Sequence, residues 1–317
     1  MNFELVNFLQ SDAWKKTNEL IGHKVIAKKI GKDGYVQMII KKAKRGRYME
    51  IPGGPLINWK IEKQVEQAKE IIVKTAKENR CVFVRLRPML MANSLNLNIL
   101  KRFGARKSPM HLAAEHTVIL DLTKSEETIL AEMRRQTRYE VRRADKLGIK
   151  VEKGNSKELF EEFHQIQKAT ALRQHFVPPD LKTLMAEREA FGKNATIYVA
   201  KTPEGEPIAY GLILVDGEEG DYYEAASTDL NRKLPGAYAL QWQVIKDLKK
   251  KGIKRYNLWG IAPPNQPHHR YAGVTTFKTG FGGEIVTYVP AHDLVINRIK
   301  YAPDFLIETI RKKRRHL

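Results

Sequence analysis

Lys278 lies in Gly273-Val-Thr-Thr-Phe-Lys-Thr-Gly-Phe-Gly-Gly283, a segment whose glycines would let the backbone approach a ligand closely. A lysine held there could neutralise the oxyanion that develops as an acyl group is transferred. The same residues also suit a surface lysine in a strand. Upstream, Tyr256-Asn-Leu-Trp-Gly-Ile261 reads as a strand whose Trp259-Gly260 end opens onto a polar loop, and loops at strand ends carry function. His268 and His269 in that loop have no carboxylate or third histidine at ligand spacing, so they read as loop residues and no metal is expected. Gly-x-Ser-x-Gly, Walker A and Gly-x-Gly-x-x-Gly patterns are absent. Cys81, the single cysteine, runs into Val-Phe-Val-Arg-Leu and reads as core rather than nucleophile. It leaves no intrachain disulfide and makes a reducing, cytoplasmic setting the default.

A second candidate is a row of cations. Leu130, Met133, Thr137, Val141 and Ala144 form an apolar stripe at helical spacing, and Arg135, Arg138, Arg142 and Lys146 follow on another face. Guanidinium groups in such a row suit phosphates along a nucleic-acid backbone, although a solvated face paired with Glu132, Glu140 and Asp145 has the same pattern. The formal net charge of +20, from 56 Lys and Arg against 36 Asp and Glu, favours a polyanionic partner. The Arg311–Arg315 run suits either a frayed tail or an electrostatic arm.

The elements that must position these residues alternate between strand and helix, which predicts an α/β or α+β fold. Asp33-Gly34 marks a hairpin between Lys24–Gly31 and Tyr35–Ala43. Residues 61–78 predict a helix, and Val82–Leu86 a strand ending at Pro88. The second half predicts a strand at Val118–Leu122 and one helix from about Glu126 to Leu147, with Thr123 and Glu126 as its capping box and Gly148 at its end. Helices follow at 157–175 and 180–191, then strands at Ala195–Lys201, Pro207–Val215 and Gly220–Ala226. Tyr238–Lys251 reads as a helix, Arg255–Leu258 as a strand and Leu294–Arg315 as a closing helix. No apolar run approaches the length of a spanning helix, and Met1–Trp14 lacks the basic-then-apolar layout of a signal peptide. A soluble chain of two similar α/β units is expected from its 317 residues.

In order and spacing, several motifs together resemble the Fem family of peptidoglycan bridge-forming aminoacyltransferases. They are Phe8-Leu-Gln-Ser-Asp-Ala-Trp14, Ile51-Pro-Gly-Gly-Pro55, Arg138-Tyr139 with Arg142-Arg143, Tyr222-Tyr-Glu-Ala-Ala-Ser227, Tyr238-Ala-Leu-Gln-Trp242, Tyr256–Gly260 and Gly273–Glu284. The resemblance spans nearly the whole chain and implies two tandem GNAT-like domains, 1–115 completed by 290–317, and 116–289. It also implies a short form without the helical-hairpin arm.

By the same resemblance, an aminoacyl-tRNA is the donor, and the acceptor is an amine of a stem peptide on a UDP-linked or lipid-linked precursor (lipid II). Neither a metal nor another cofactor is implied, and a monomer touching the inner membrane face is expected. Lys278 matches the lysine that stabilises the acyl centre, with Phe277 beside it. Lys16 matches a lysine on the precursor's phosphates and Tyr222 an aromatic of the substrate channel, where Tyr238 and Trp259 are also expected. Glu224 stands where some members have a tyrosine, Arg87 where a short-form member has an aspartate, and Pro178-Pro179 where a substrate-binding arginine is expected. Glu224 is read as a proton acceptor or amine-orienting group, or else as a partner of Arg85 or Arg87.

A tRNA ester is already activated, so such an enzyme needs positioning and oxyanion stabilisation more than a nucleophile. Three rival readings fit parts of the sequence. An acyl-CoA-dependent transferase of the same fold would need a Gly-rich phosphate loop where this chain has Arg232-Lys-Leu-Pro-Gly-Ala-Tyr238. A tRNA-dependent transferase acting on protein N-termini would differ only in its acceptor. A non-catalytic RNA-binding protein would leave the Trp-Gly and Phe-Lys segments without purpose.

Overall fold

The computed structural model describes residues 7–174, 176–264, 266 and 269–314. In chain order the first elements are α1 (Asp12–Leu20), β1 (Lys24–Ile30), β2 (Gly34–Ala43), β3 (Gly46–Gly53), α2 (Glu62–Glu78), β4 (Cys81–Pro88), α3 (Ser94–Arg102) and β5 (Ala105–Lys107). Next come β6 (His116–Asp121), α4 (Glu126–Glu132), α5 (Arg135–Lys146), β7 (Lys150–Gly154), α6 (Lys157–Gln174) and α7 (Leu181–Phe191). They are followed by β8 (Ala195–Lys201), β9 (Pro207–Asp216), β10 (Glu219–Ser227), α8 (Gly236–Lys250), β11 (Arg255–Gly260), α9 (Ala272–Thr279) and β12 (Glu284–Thr287). The chain closes with β13 (His292–Val295) and α10 (Arg298–Arg314). Two compact units result, Met1–Glu115 with Thr287–Leu317, and His116–Val286. Among the described residues no helix is long and apolar enough to cross a membrane.

In the first unit the sheet order is β1-β2-β3-β4-β13-β5. Alternation along β2 sends Val36, Met38 and Ile40 to one face, where Ala68, Ile72 and Ala76 of α2 pack at i, i+4 and i+8. Leu294 belongs to this same core, so the segment from Leu294 does not begin as a helix. It enters as strand β13 between β4 and β5 and turns helical only at Arg298. The apolar helical spacing of the C-terminal segment conceals a four-residue strand, because a sheet slot bounded on both sides overrides local propensity. Residues 311–314 continue α10, while Arg315 lies outside the described residues. Cys81 is buried, and burial pushes its thiol up to about 11, which keeps it a thiol and a poor nucleophile.

In the second unit the order is β12-β6-β11-β10-β9-β8-β7. Leu240, Val244 and Leu248 of α8 cover one face together with Val141 of α5. Phe163 of α6 meets Tyr210 of β9 on the other, ring centres 6.2 Å apart. The single helix expected over 126–147 is two helices. Met133 is extended (φ −64°, ψ 147°) and buries its side chain, breaking the run where core packing outweighs helical continuity. The cap differs as well. Ser125 accepts from Thr128 N–H at 3.1 Å, whereas the Thr123 hydroxyl donates to Asp121 at 2.6 Å.

Candidate active site

The site is built where two parallel strands part. β10 and β11 pair only at Glu219–Arg255, Gly220–Tyr256 and Asp221–Asn257. Just beyond, β10 holds one extra residue: Tyr222 faces Ile213 and Glu224 faces Leu212, leaving Tyr223 as a bulge. β11 is irregular at the same level, between Asn257 and Gly260 against β6. There Trp259 takes φ +60°, a left-handed conformation that a bulky residue adopts only when its surroundings impose it. The Asn257 side chain supplies part of that constraint by accepting Trp259 N–H at 2.9 Å. Bulges bend and twist a strand, so two at one level open a split between neighbours. Tyr223 and Trp259 bring their rings edge to face at 5.8 Å.

Lys278 is on helix α9, not in a strand, and is 8% exposed. Its Nζ donates to the Gly260 carbonyl at 2.8 Å and lies 5.6 Å from the Tyr222 ring centre. Burial pulls its pKa down to about 7, and no carboxylate among the described residues offsets that shift. Both the charged and the neutral form are then within reach near neutral pH. Phe277 and Tyr238 meet each other at 5.1 Å and both meet Phe281, at 5.2 and 5.9 Å, forming an aromatic wedge that fixes α9 on α8. Both rings are only partly buried, so part of each remains open beside the packing. Gly280 and Gly283 serve close approach within the fold, whereas Gly273 faces open space. A Cβ at Gly280 would meet Thr137 Oγ1 at 2.3 Å, and one at Gly283 the Ile119 carbonyl oxygen at 2.5 Å.

Glu224 is not beside Lys278. Ile213 and Leu212 point to opposite faces of the sheet, so their partners Tyr222 and Glu224 do too. Tyr222 lies over Gly211 with Leu240 of α8, whereas Glu224 accepts a hydrogen bond from Gln167 of α6. Arg85 and Arg87, the other partners expected for it, are engaged within the first unit. Arg85 bonds Asp293 and Glu308, and Arg87 is buried with its Nη1 on Met89 Sδ at 3.3 Å and its guanidinium 5.3 Å from the Tyr288 ring centre. Burial lowers Arg87 to about 10. Lys16 is exposed on α1 of the first unit.

The arginine row is partly redirected. Arg138 donates to the carbonyls of Ala131 and Met133, closing the broken end of α4. Arg135 and Arg142 are exposed and have no ion pair among the described residues. Tyr139, 58% exposed, stands between them at i+4 and i−3, and Lys146 extends the stripe. Two arginines, a lysine and an open aromatic ring can meet phosphates and a base. His268 lies outside the described residues.

Two of the first amides of α8, those of Gly236 and Ala237, are already occupied, and Ala239 makes the ordinary helical bond. Gly236 N–H donates to the Leu234 carbonyl at 2.9 Å, Ala237 N–H to Asn231 Oδ1 at 3.0 Å and Ala239 N–H to the Pro235 carbonyl at 3.0 Å. A Cβ at Gly236 would meet Ile208 Cγ2 at 2.4 Å, so this glycine serves packing rather than a ligand. Sequence reasoning missed Gln167, Tyr223 and the Gly260 carbonyl, since no local pattern marks residues that only folding brings together.

Two mixed sheets flanked by helices, the second split between parallel strands, define the tandem GNAT acyltransferase fold. The chain belongs to the FemAB family, whose profile matches residues 1–206 and 201–309. A 96-residue segment is 34% identical to aminoacyltransferase FemA of Staphylococcus aureus, covering 30% of this chain and 23% of that protein. The crystal structure of FemX superposes with a TM-score of 0.84 at 18% identity, over 95% of this chain and 94% of that one. A tandem GNAT protein from the clavulanic acid biosynthesis pathway gives 0.54 at 10% identity, over 83% and 79% of the two chains.

Proposed function

We propose that this chain transfers an aminoacyl group from aminoacyl-tRNA to an amine of a peptidoglycan stem peptide, carried on a UDP-linked or lipid-linked precursor in the cytoplasm. The observation that carries this reading is the Lys278 amine nitrogen, buried at the split of β10 and β11 and donating to the Gly260 carbonyl. The acceptor amine attacks the ester carbon, the carbonyl pair moves to oxygen, and Lys278 in its charged form stabilises that oxyanion. Collapse breaks the ester bond, the tRNA ribose hydroxyl leaves with a proton, and the amine loses one. Tyr222 and Trp259 line the split and hold the acyl group, and Phe277 and Tyr238 set the height of α9. Lys16 contacts the precursor's phosphates.

Asn231 on the Ala237 amide and Ile208 packed against Gly236 narrow the start of α8, which favours tRNA over acyl-CoA, because a pyrophosphate cradle needs open N–H groups at a helix start. The exposed Arg135–Tyr139–Arg142–Lys146 stripe supports the same choice. Arg138, occupied by two carbonyls, contributes by holding α5 in place. Replacing Arg135 and Arg142 with glutamine should weaken tRNA binding and lower the magnitude of the log–log salt slope by about 1 to 2. A slope unchanged in a folded double variant would detach the stripe from tRNA and count against this donor.

A further inference from the structure

The outer face of α10 sets apolar side chains among cations, and the transfer chemistry above uses neither. Ile299 and Leu306 are 88% and 60% exposed, and Pro303 and Ile310 are exposed with them. Spacings of four, three and four residues place these side chains on one stripe of the helix. The other side of α10 is the packed one. Tyr301 meets Phe83 of β4 with ring centres 5.3 Å apart, Asp304 pairs with Arg45, and Glu308 pairs with Arg85. Both acids of α10 therefore turn inward.

Cations surround the stripe. Arg298 and Lys300 stand exposed at its start, and Arg311 at its far end. Arg45 ties the β2–β3 hairpin to Asp304, and that hairpin exposes Lys42, Lys44 and Arg47 with no acid among residues 42–47. On the opposite flank, where β5 lies beyond β13, the exposed Arg106 guanidinium sits 4.4 Å from the Phe305 ring centre. Single exposed apolar residues are ordinary on a protein surface. Four in helical register inside a ring of like charges are the pattern of a helix that lies in a lipid interface. A second copy of the chain fits less well, because two such faces would set one ring of cations against another.

We propose that this face docks the chain on an anionic lipid surface. Ile299, Pro303, Leu306 and Ile310 enter the boundary of the acyl chains, and the surrounding lysines and arginines reach the headgroup phosphates. The proposal does not depend on the acyl-transfer reading. Together with that reading it favours the lipid-linked precursor over the UDP-linked one as acceptor.

Sedimentation of the full chain with vesicles tests the docking face. One set of vesicles is phosphatidylcholine alone, and the other is phosphatidylcholine and phosphatidylglycerol in equal parts. The chain is expected to sediment with the mixed vesicles at low salt and to stay in solution with the neutral ones. Leu306→Ser with Ile310→Ser should weaken that partition by about tenfold or more. Replacing Lys42, Lys44 and Arg47 with glutamine should weaken it by about fivefold for each cation removed.

A polarity-sensitive dye gives a reading that needs neither set of variants. Placed at Leu306→Cys, it should shift to the blue on the mixed vesicles. Placed at Lys74→Cys on α2, which covers the other face of the first sheet, it should not, and Cys81 is buried away from the dye. Equal sedimentation of a folded Leu306→Ser, Ile310→Ser variant would overturn the proposal and leave only diffuse attraction by net charge. Failure to bind the mixed vesicles, or a shift at position 74 as large as at 306, would overturn it as well. A parent that ignores vesicles but dimerises, beside a monomeric serine variant, would give the stripe to a second copy instead. None of these readouts requires turnover, so a failed transfer assay leaves the result standing.

Discussion

Lys278→Met is expected to slow the chemical step by about 100- to 1000-fold, the usual loss when one oxyanion donor is removed. Methionine keeps most of the stem's volume and deletes the charge, so electrostatics and packing separate. Single-turnover kinetics at saturating donor and acceptor read the step directly, and binding of both substrates should be largely kept. A lysine that acted only on the precursor's phosphates would instead weaken precursor binding and spare the saturated rate. Stability supplies a second readout. The folded pKa of about 7 lies below the ordinary lysine value, so the folded state binds fewer protons than the unfolded state between the two. Stability contributed by this group therefore rises with pH from about 7 toward lysine's ordinary value near 10.4. At neutral pH and below, Lys278→Met should melt no lower than the parent. Because the charged form stabilises the oxyanion, the Lys278 contribution to rate should fall as pH rises through about 7. An attacking amine alone would show the opposite slope. A stable variant that turns over at the parental rate would remove Lys278 from the mechanism.

The largest stability effect is expected at Arg85. Its Nε and Nη2 donate to the two oxygens of Asp293 at 2.8 and 2.9 Å, and Nη2 also reaches Glu308 at 2.7 Å. Asp293 is fully buried on β13 and otherwise accepts from the Tyr301 hydroxyl at 2.9 Å. Burial opposes the Arg85 charge, but hydrogen bonding and attraction from Asp293 and then Glu308 outweigh it and hold the group above its usual range. Arg85→Leu would strand a buried carboxylate and should cost about 3–5 kcal/mol in urea unfolding. Adding Asp293→Asn should recover a good part of that loss, since the penalty belongs to the unpaired charge. A single-variant loss below about 1 kcal/mol would mean that the pair behaves like an exposed one.

The same pair shows where sequence reading reaches its limit. Helical spacing was legible along α2 and strand alternation along β2, because each buries one face against a neighbour. The two-unit α/β architecture followed from that grammar. The strand β13 was hidden, since its four residues are held by β4, β5 and the buried Arg85–Asp293 pair rather than by local preference. The break at Met133 and the use of Arg138 to satisfy carbonyls were equally invisible, as both depend on what α4 packs against. Lys278 and Tyr222 could be named from their motifs, and folding does bring them together. Glu224 was named too, but a single bulge decides which face a side chain takes, and β10 places it with Gln167 on the far side. Gln167 carries no motif and became visible only through its bond to Glu224.

The proposed reaction itself is tested most directly by following a label. The full chain is offered aminoacyl-tRNAs labelled in the amino acid, acetyl-CoA labelled in the acetyl group, and both UDP-linked and lipid-linked stem-peptide precursors. The expected result is label passing from an aminoacyl-tRNA into a new amide on a stem-peptide amine, with deacylated tRNA released in equal amount and acetyl label left on its carrier. Acetyl label on the acceptor, with every aminoacyl-tRNA untouched, would contradict the assignment and make the chain an acyl-CoA-dependent enzyme of the same fold.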